Sequence, residues 1–274
     1  KIRAIKDKLT DVKKVIVFGN AGELEEGEIH ADEVFKMGDE FLKEHTLEEF
    51  LAVGQSLVND DIATITYTSG TTADPKGILL THRNYTANVE QARSVVCCDV
   101  DDVMLIILPL DHCFAHVVGF YIMIACGASV ATVEVGRTPM ETLKNVPINI
   151  KEVKPHVLLS VPALAKNFRK NIEGSIKSKG AFTEKLFKFA LKVSYEYNQD
   201  GYSKGRGWRF ILKPLVALFD KILYSKVREA FGGELAFFVG GGALLDAELQ
   251  RFFYAIGIPM FQGYGLSEAT PIIS

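Results

Sequence analysis

ATITYTSGTTADPKGILLTHRN, residues 63 to 84, sets a crowded polar turn between two apolar runs. Its centre, TSGTTADPKG at 68–77, holds two glycines, four hydroxyl side chains, a proline and a lysine. A chain gains little packing from such residues. ATITY reads as a buried strand, so the loop is expected at the carboxyl end of a parallel strand, where open α/β sheets bind ligands. Gly70 and Gly77 let backbone N–H groups approach an anion. Thr68, Ser69, Thr71 and Thr72 offer hydroxyls that donate to phosphate or ligate magnesium. Lys76 adds positive charge, and Pro75 stiffens the turn that presents it. The chemistry fits a polyphosphate. A Walker loop is excluded, because it needs Gly before its Lys and Ser or Thr after it; here Pro75 precedes Lys76 and Gly77 follows. Taken alone, an ordinary polar loop accounts for the cluster equally well.

The same alternation extends outward along the chain. Short runs rich in Val, Ile and Leu read as buried strands: KVIVF (14–18), VMLIILP (103–109), SVATVEV (129–135), HVLLSV (156–161), LAFFVG (235–240) and PMFQGY (259–264). Helical patterns lie between several of them. One covers 84–96 with Asn84 as its cap; others open on Pro139, Pro162 and Asp246. Strands bounded by helices predict an α/β fold with largely parallel sheets covered on both faces. Residues 174–232 show long amphipathic patterns and no strand, and read as a helical insertion. The acidic stretch 19–61 reads as a coil-rich connector. The expected organisation is part of a first α/β subdomain over 1–100 and a second over 101–274, which carries the insertion.

Composition bounds the function. The 274 residues are 48% hydrophobic, enough for a large core, with a net charge of −3. The charge is unevenly spread. Residues 20–61 hold thirteen Asp and Glu, and residues 166–228 hold fifteen Lys and Arg. Each block is either a solvated face or, for the basic one, a surface that meets something anionic. Cys97, Cys98, Cys113 and Cys126 form no CxxC pair and read as small apolar residues in a reducing compartment. The opening KIRAIKDKLTDVKK is not a signal peptide, and the missing initiator Met reads as a cut fragment. Residues 113–133 carry no Asp, Glu, Lys or Arg and match a bilayer in length. Gly127 interrupts them, so a buried helix followed by a buried strand is the expected reading.

TSGTTADPKG followed by TH resembles the phosphate-binding signature of adenylate-forming enzymes: acyl-CoA synthetases, firefly luciferase and nonribosomal-peptide adenylation domains. Ala73 departs from that pattern, standing where a Gly is usual; a left-handed backbone there costs Ala about 1 kcal/mol. FQGYGLSEATP (261–271) resembles the family's G-Y-G-x-[ST]-E motif. By that resemblance Glu268 ligates magnesium together with Thr68, Ser267 contacts the α-phosphate, and Tyr264 lies against adenine, with Gln262, Gly263 and Gly265 in the same nucleotide-binding segment. FFVGGGALLDAEL (237–249) resembles the family's GGAPL segment, placing Gly241, Gly242 and Ala243 along the adenine pocket. LPLDHCFAH (108–116) resembles the LPLxH segment near the carboxylate substrate, with His112 on the motif's His and Phe114 and His116 near the acyl entrance. His112 and His116, four apart, also have the spacing of a metal pair, without an obvious third ligand.

The helical, basic insertion is similar to that of long-chain fatty acid–CoA ligases. The resemblance implies ATP, Mg2+ and coenzyme A, with a fatty acid as substrate. Lys76, His112, Ser267 and Glu268 are then the catalytic set. Two steps follow: the carboxylate attacks the α-phosphorus, giving acyl-adenylate and pyrophosphate, and the thiol of coenzyme A then displaces AMP. A cytoplasmic protein is expected, with the basic segment 166–228 against anionic membrane and no nucleic acid partner. The later ribose-binding Asp motif and C-terminal Lys are not in these residues, so the fragment alone is not expected to turn over. Two rivals remain: a ligase that loads a carrier protein, and a non-catalytic nucleotide-binding scaffold. A kinase is disfavoured because no base motif accompanies the loop.

Overall fold

A computed structural model of the chain describes every residue except Lys1, Ala21, Ser69 to Ala73 and Cys97. The chain forms two compact units, Lys1–Asp61 and Ile62–Ser274.

In the first unit, β1 (Val15–Val17) pairs in parallel with β2 (Glu28–His30). Two helices follow, α1 (Ala31–Glu44) and α2 (Leu47–Gln55). This corrects the coil-rich connector expected over 19–61. Its carboxylates favour helix where they fall: Asp32 and Glu33 sit in the first turn of α1, and Glu48 and Glu49 in that of α2. Thr46 and Glu49 close a reciprocal capping box.

The second unit is built on a five-stranded, all-parallel sheet. In chain order its strands are β5 (Val103–Ile106), β6 (Ser129–Thr132), β7 (Val157–Ser160), β8 (Phe237–Gly240) and β9 (Met260–Gln262). In space the order is β6-β5-β7-β8-β9. Period two separates two cores. Leu105, Leu158 and Phe238 enter one, with α5 (Pro139–Val153), α6 (Pro162–Ser178), α7 (Ala181–Asn198) and α10 (Ala247–Ala255). Met104, Val157 and Leu159 enter the other. There they meet α3 (His82–Arg93), a π-helical turn over Ala115–Tyr121 and its continuation α4 (Ile122–Cys126). Both faces of the central strands are covered, and all four residues of β7 are buried.

Gly127 ends α4 at φ 71°, and β6 follows, so residues 113–133 divide into a buried helix and a strand. Among the described residues no helix is long and apolar enough to cross a membrane. The region 174–232 is helical as expected. It holds the end of α6, α7, a 3-10 turn over Gly207–Leu212, α8 (Lys213–Phe219), a π turn over Asp220–Tyr224 and α9 (Ser225–Glu229).

The opening stretch folds differently from its reading. β3 (Ile62–Thr68) pairs antiparallel with β4 (Lys76–Thr81), and their register puts Thr68 opposite Lys76. ATITY is therefore one arm of a hairpin, and the loop spans the hairpin tip instead of linking a parallel strand to a helix. β3 is covered on one side only, and the covered side is the threonine side: Thr64, Thr66 and Thr68 are half-buried, whereas Ile62, Ile65 and Tyr67 are exposed. α3 starts before Asn84. Thr81 is the cap, its hydroxyl accepting from Asn84 N at 3.3 Å while Asn84 Oδ1 accepts from Thr81 N at 2.9 Å.

Candidate active site

The sheet order reverses direction between β5 and β7, and ligands of open α/β sheets lie outside the carboxyl ends of strands at such a switch point. The segments after β5, β8 and β9 are the three read as functional. After β5, the chain turns through His112, an exposed residue whose Nδ1 accepts from Phe114 N at 3.2 Å and so starts the helix that follows. The next residue, Cys113, is buried, and its Sγ donates to Ser267 Oγ at 3.5 Å. Residues 154 positions apart in sequence thus meet.

After β8, Gly241 N donates to Ser160 O at 3.0 Å, tying the glycine turn to the end of β7. A methyl group on Gly241 would lie 2.9 Å from the Phe114 ring, so the absence of a side chain lets that ring pack on the backbone. Gly242 sits at φ 77°. Gln262 braces the same turn. Its Oε1 accepts from Leu245 N at 2.6 Å, and Nε2 reaches Ala243 O at 3.4 Å and Gly263 O at 2.7 Å. Gly263 N completes the seam to Gly240 O at 2.7 Å.

After β9 the chain doubles back. Tyr264 N donates to Ser274 O at 2.7 Å, and Leu266 N to Pro271 O at 2.8 Å. Gly265 bridges Ile272, so closely that a Cβ would fall 2.1 Å from the Pro271 carbonyl oxygen. At the tip, Ser267–Ala269 form a 3-10 turn that ends on buried Thr270 at φ 68°. This turn packs against β4, the strand that begins at Lys76. Tyr264 and Glu268 are exposed. Among the described residues, neither Lys76 nor Glu268 is engaged in an ion pair or a side-chain hydrogen bond, so one charge of each sign is available. Ser69, Gly70, Thr71 and Thr72 lie outside the described residues, as does Ala73.

Two contributors escaped the sequence reading. Cys113 is one. Asn88 is the other: buried in α3, it donates from Nδ2 to Ile272 O at 2.8 Å and Ala269 O at 3.4 Å, and its Oδ1 accepts from Ile272 N at 3.2 Å. The signal was present. Asn88 shares the buried stripe of Tyr85, Val89 and Ala92, and a polar residue on an apolar stripe needs partners.

His116 does not join His112. It stacks on Tyr121, ring centroids 4.5 Å apart, and tilts against Tyr85, whose hydroxyl meets Thr64 of β3 at 2.7 Å. Burial lowers the His116 pKa, which keeps the ring neutral at pH 7. No group of three His, Cys, Asp or Glu that could hold a metal occurs among the described residues.

The sequence profile described as AMP-binding enzyme matches residues 1–274. The chain belongs to this family. Among curated members of the AMP-binding family, it is 29% identical over 280 residues to long chain acyl-CoA synthetase 8 of Arabidopsis thaliana, covering 98% of this chain and 37% of that protein. It is 30% identical over 242 residues to a chloroplastic long-chain-fatty-acid acyl-carrier-protein ligase of the same plant, covering 80% of this chain and 32% of that one. The chain thus spans about a third of the length of these relatives. In three dimensions it resembles an anthranilate CoA ligase crystallised with anthranoyl-AMP, at TM-score 0.59 and 17% identity over 99% of this chain and 40% of the other. That likeness concerns the fold.

Proposed function

We propose that these residues form the nucleotide and carboxylate site of an AMP-forming ligase, which joins a long-chain fatty acid to coenzyme A through an acyl-adenylate. One observation carries the reading: the turn bearing Ser267 and Glu268 packs on the strand that opens with Lys76, while Ser267 meets Cys113 beside His112. Contacts thus run from the 267–269 turn both to the segment after β5 and to the strand that follows the phosphate loop.

The hydroxyls and glycines of 68–77 take the triphosphate, with Lys76 supplying charge to it. Ser267 donates to the α-phosphate. Tyr264 offers an exposed aromatic face for adenine, beside the backbone of Gly241, Gly242 and Ala243. Gln262, Gly263 and Gly265 hold that wall in shape. His112 sits where the carboxylate enters, with Phe114 behind it. The donor set fits magnesium, which is commonly bound by one or two carboxylates plus substrate phosphates and keeps several waters, so Glu268 with the Thr68 hydroxyl suffices. The ion would screen the repulsion between carboxylate and triphosphate. The residues contribute position and charge: a carboxylate brought in line with the α-phosphorus, and Lys76 countering the charge that leaves with pyrophosphate.

The division into subdomains at about residue 100 belongs to this reading, as does a peripheral contact of the basic stretch 166–228 with an anionic surface. A second acceptor has specific support. Relatives named for coenzyme A and for acyl-carrier protein match at 29% and 30% identity, so a carrier-protein ligase is the alternative. The test is pyrophosphate exchange into ATP by the full-length protein with a fatty acid and magnesium. Exchange is expected, and Glu268→Gln should reduce it about 100-fold or more, the scale of losing one transition-state charge contact. Exchange that Glu268→Gln leaves untouched overturns the site. Supplying each thiol acceptor in turn separates the two ligases.

A further inference from the structure

The helical run 207–229 is apolar on both sides. Its inner side gives Phe219, Leu223, Tyr224 and Val227 to the core. Its outer side carries Trp208, Ile211, Pro214, Leu218 and Ile222, spaced three or four residues apart and so aligned along one stripe. Trp208 is 59% exposed, Ile211 64% and Leu218 50%, and Phe210 lies exposed beside them. A helix apolar all round is normally covered on every side, and contiguous exposed apolar surface marks a docking face.

The charges around the stripe say what covers it. Arg206, Lys213 and Lys221 border it, and none of them is in an ion pair among the described residues. Two nearby carboxylates are already neutralised: Asp220 is forked by Arg228 at 2.6 and 2.9 Å, and Glu196 is held by Arg209 at 2.9 Å. The face is therefore apolar with three free cations at its rim, against one exposed carboxylate, Glu229, seven residues beyond Ile222 at the far end of the run. A tryptophan at the edge of such a stripe suits the boundary between headgroups and acyl chains.

We propose that this stripe docks on an anionic lipid bilayer, inserting Trp208, Ile211 and Leu218 at headgroup depth while Arg206, Lys213 and Lys221 meet lipid phosphates. The proposal locates the peripheral contact of the previous reading on particular residues; its test needs no catalysis and so stands or falls separately.

The experiment is co-sedimentation of the full-length protein with vesicles of phosphatidylcholine alone and of phosphatidylcholine mixed with phosphatidylglycerol. Binding is expected to the mixed vesicles only, and to weaken with salt. Trp208→Ser with Ile211→Ser removes insertion, and Lys213→Glu with Lys221→Glu removes attraction. The second pair should weaken partitioning at least about 25-fold, near 5-fold for each cation removed. Both pairs lie on the surface, and an unchanged circular dichroism melt verifies that each variant folds. Equal binding to neutral vesicles overturns the proposal, as does binding that ignores both pairs. So does a protein that stays off vesicles and instead self-associates through this stripe, with the variants dissolving the dimer.

Discussion

Asn88 is the residue on which the site turn hangs. Its amide meets both a donor and an acceptor of Ile272, so removing it orphans two part-buried backbone groups at once. Asn88→Ala should cost about 2 kcal/mol by thermal or urea unfolding, and lower adenylation through kcat more than through KM because Ser267 and Glu268 lose their support. A loss under about 0.5 kcal/mol would mean the turn is held elsewhere. Gly241 and Phe114 give a paired test. Gly241→Ala drives a methyl into the Phe114 ring at 2.9 to 3.1 Å, and the ring is a side chain that can be cut back. Gly241→Ala alone should destabilise by about 1 to 3 kcal/mol. Combined with Phe114→Leu it should cost less than the sum, a coupling that a double-mutant cycle measures. Gly265 has no such rescue, because its obstacle is the Pro271 backbone.

At the scale of elements, the parallel strands were legible and the hairpin was not. HVLLSV is apolar without alternation, and only a strand covered on both faces suits such a run. ATITY interleaves threonine with isoleucine and tyrosine, yet the half-buried side carries Thr64 and Thr66 while Ile65 and Tyr67 are exposed, so its apolar content misled; reading it as fully buried put the phosphate loop in the wrong connection. The helices of 31–55 were hidden by composition, although four of the acids, Asp32, Glu33, Glu48 and Glu49, lie at helix starts, where they stabilise. The three motifs were visible as strings, but their meeting was not: Cys113 with Ser267 and Asn88 with Ile272 are contacts that no local pattern encodes. The start of α3 was misplaced because Thr81 and Asn84 cap reciprocally and either can pass for the N-cap. Thr81→Ala should therefore cost about 1 kcal/mol in urea unfolding, and Thr81→Ser much less. Equal losses would mean that the threonine methyl matters and the cap does not.

For the whole molecule, stability is divided very unequally between the two units. Both hydrophobic clusters consist of residues from Ala63 onward, whereas Ala31 is the only buried hydrophobic residue described before Asp61. The second unit has the buried area for a cooperative fold, and the first lacks it. Beside the β1–β2 pairing, the first unit is tied across its sequence by a fork: Arg3 donates from Nε and Nη2 to the two carboxylate oxygens of Glu28, at 2.8 and 2.7 Å. Hydrogen bonds from the Arg3 guanidinium, then from Glu25 N, hold the Glu28 pKa down at about 2, against an ordinary 4.5. A depressed carboxylate stabilises the fold fully above its unfolded pKa and loses that contribution as pH falls toward the folded value. Amide hydrogen exchange of residues 1–274 should accordingly show weak protection over 31–55 and strong protection in β7 and β8 at neutral pH. Between pH 4.5 and 2 the remaining protection of the first unit should fade, and Arg3→Ala should bring that loss to higher pH. If residues 31–55 are protected as well as β7, or if Arg3→Ala leaves the acid profile unmoved, the fork is not what organises that unit.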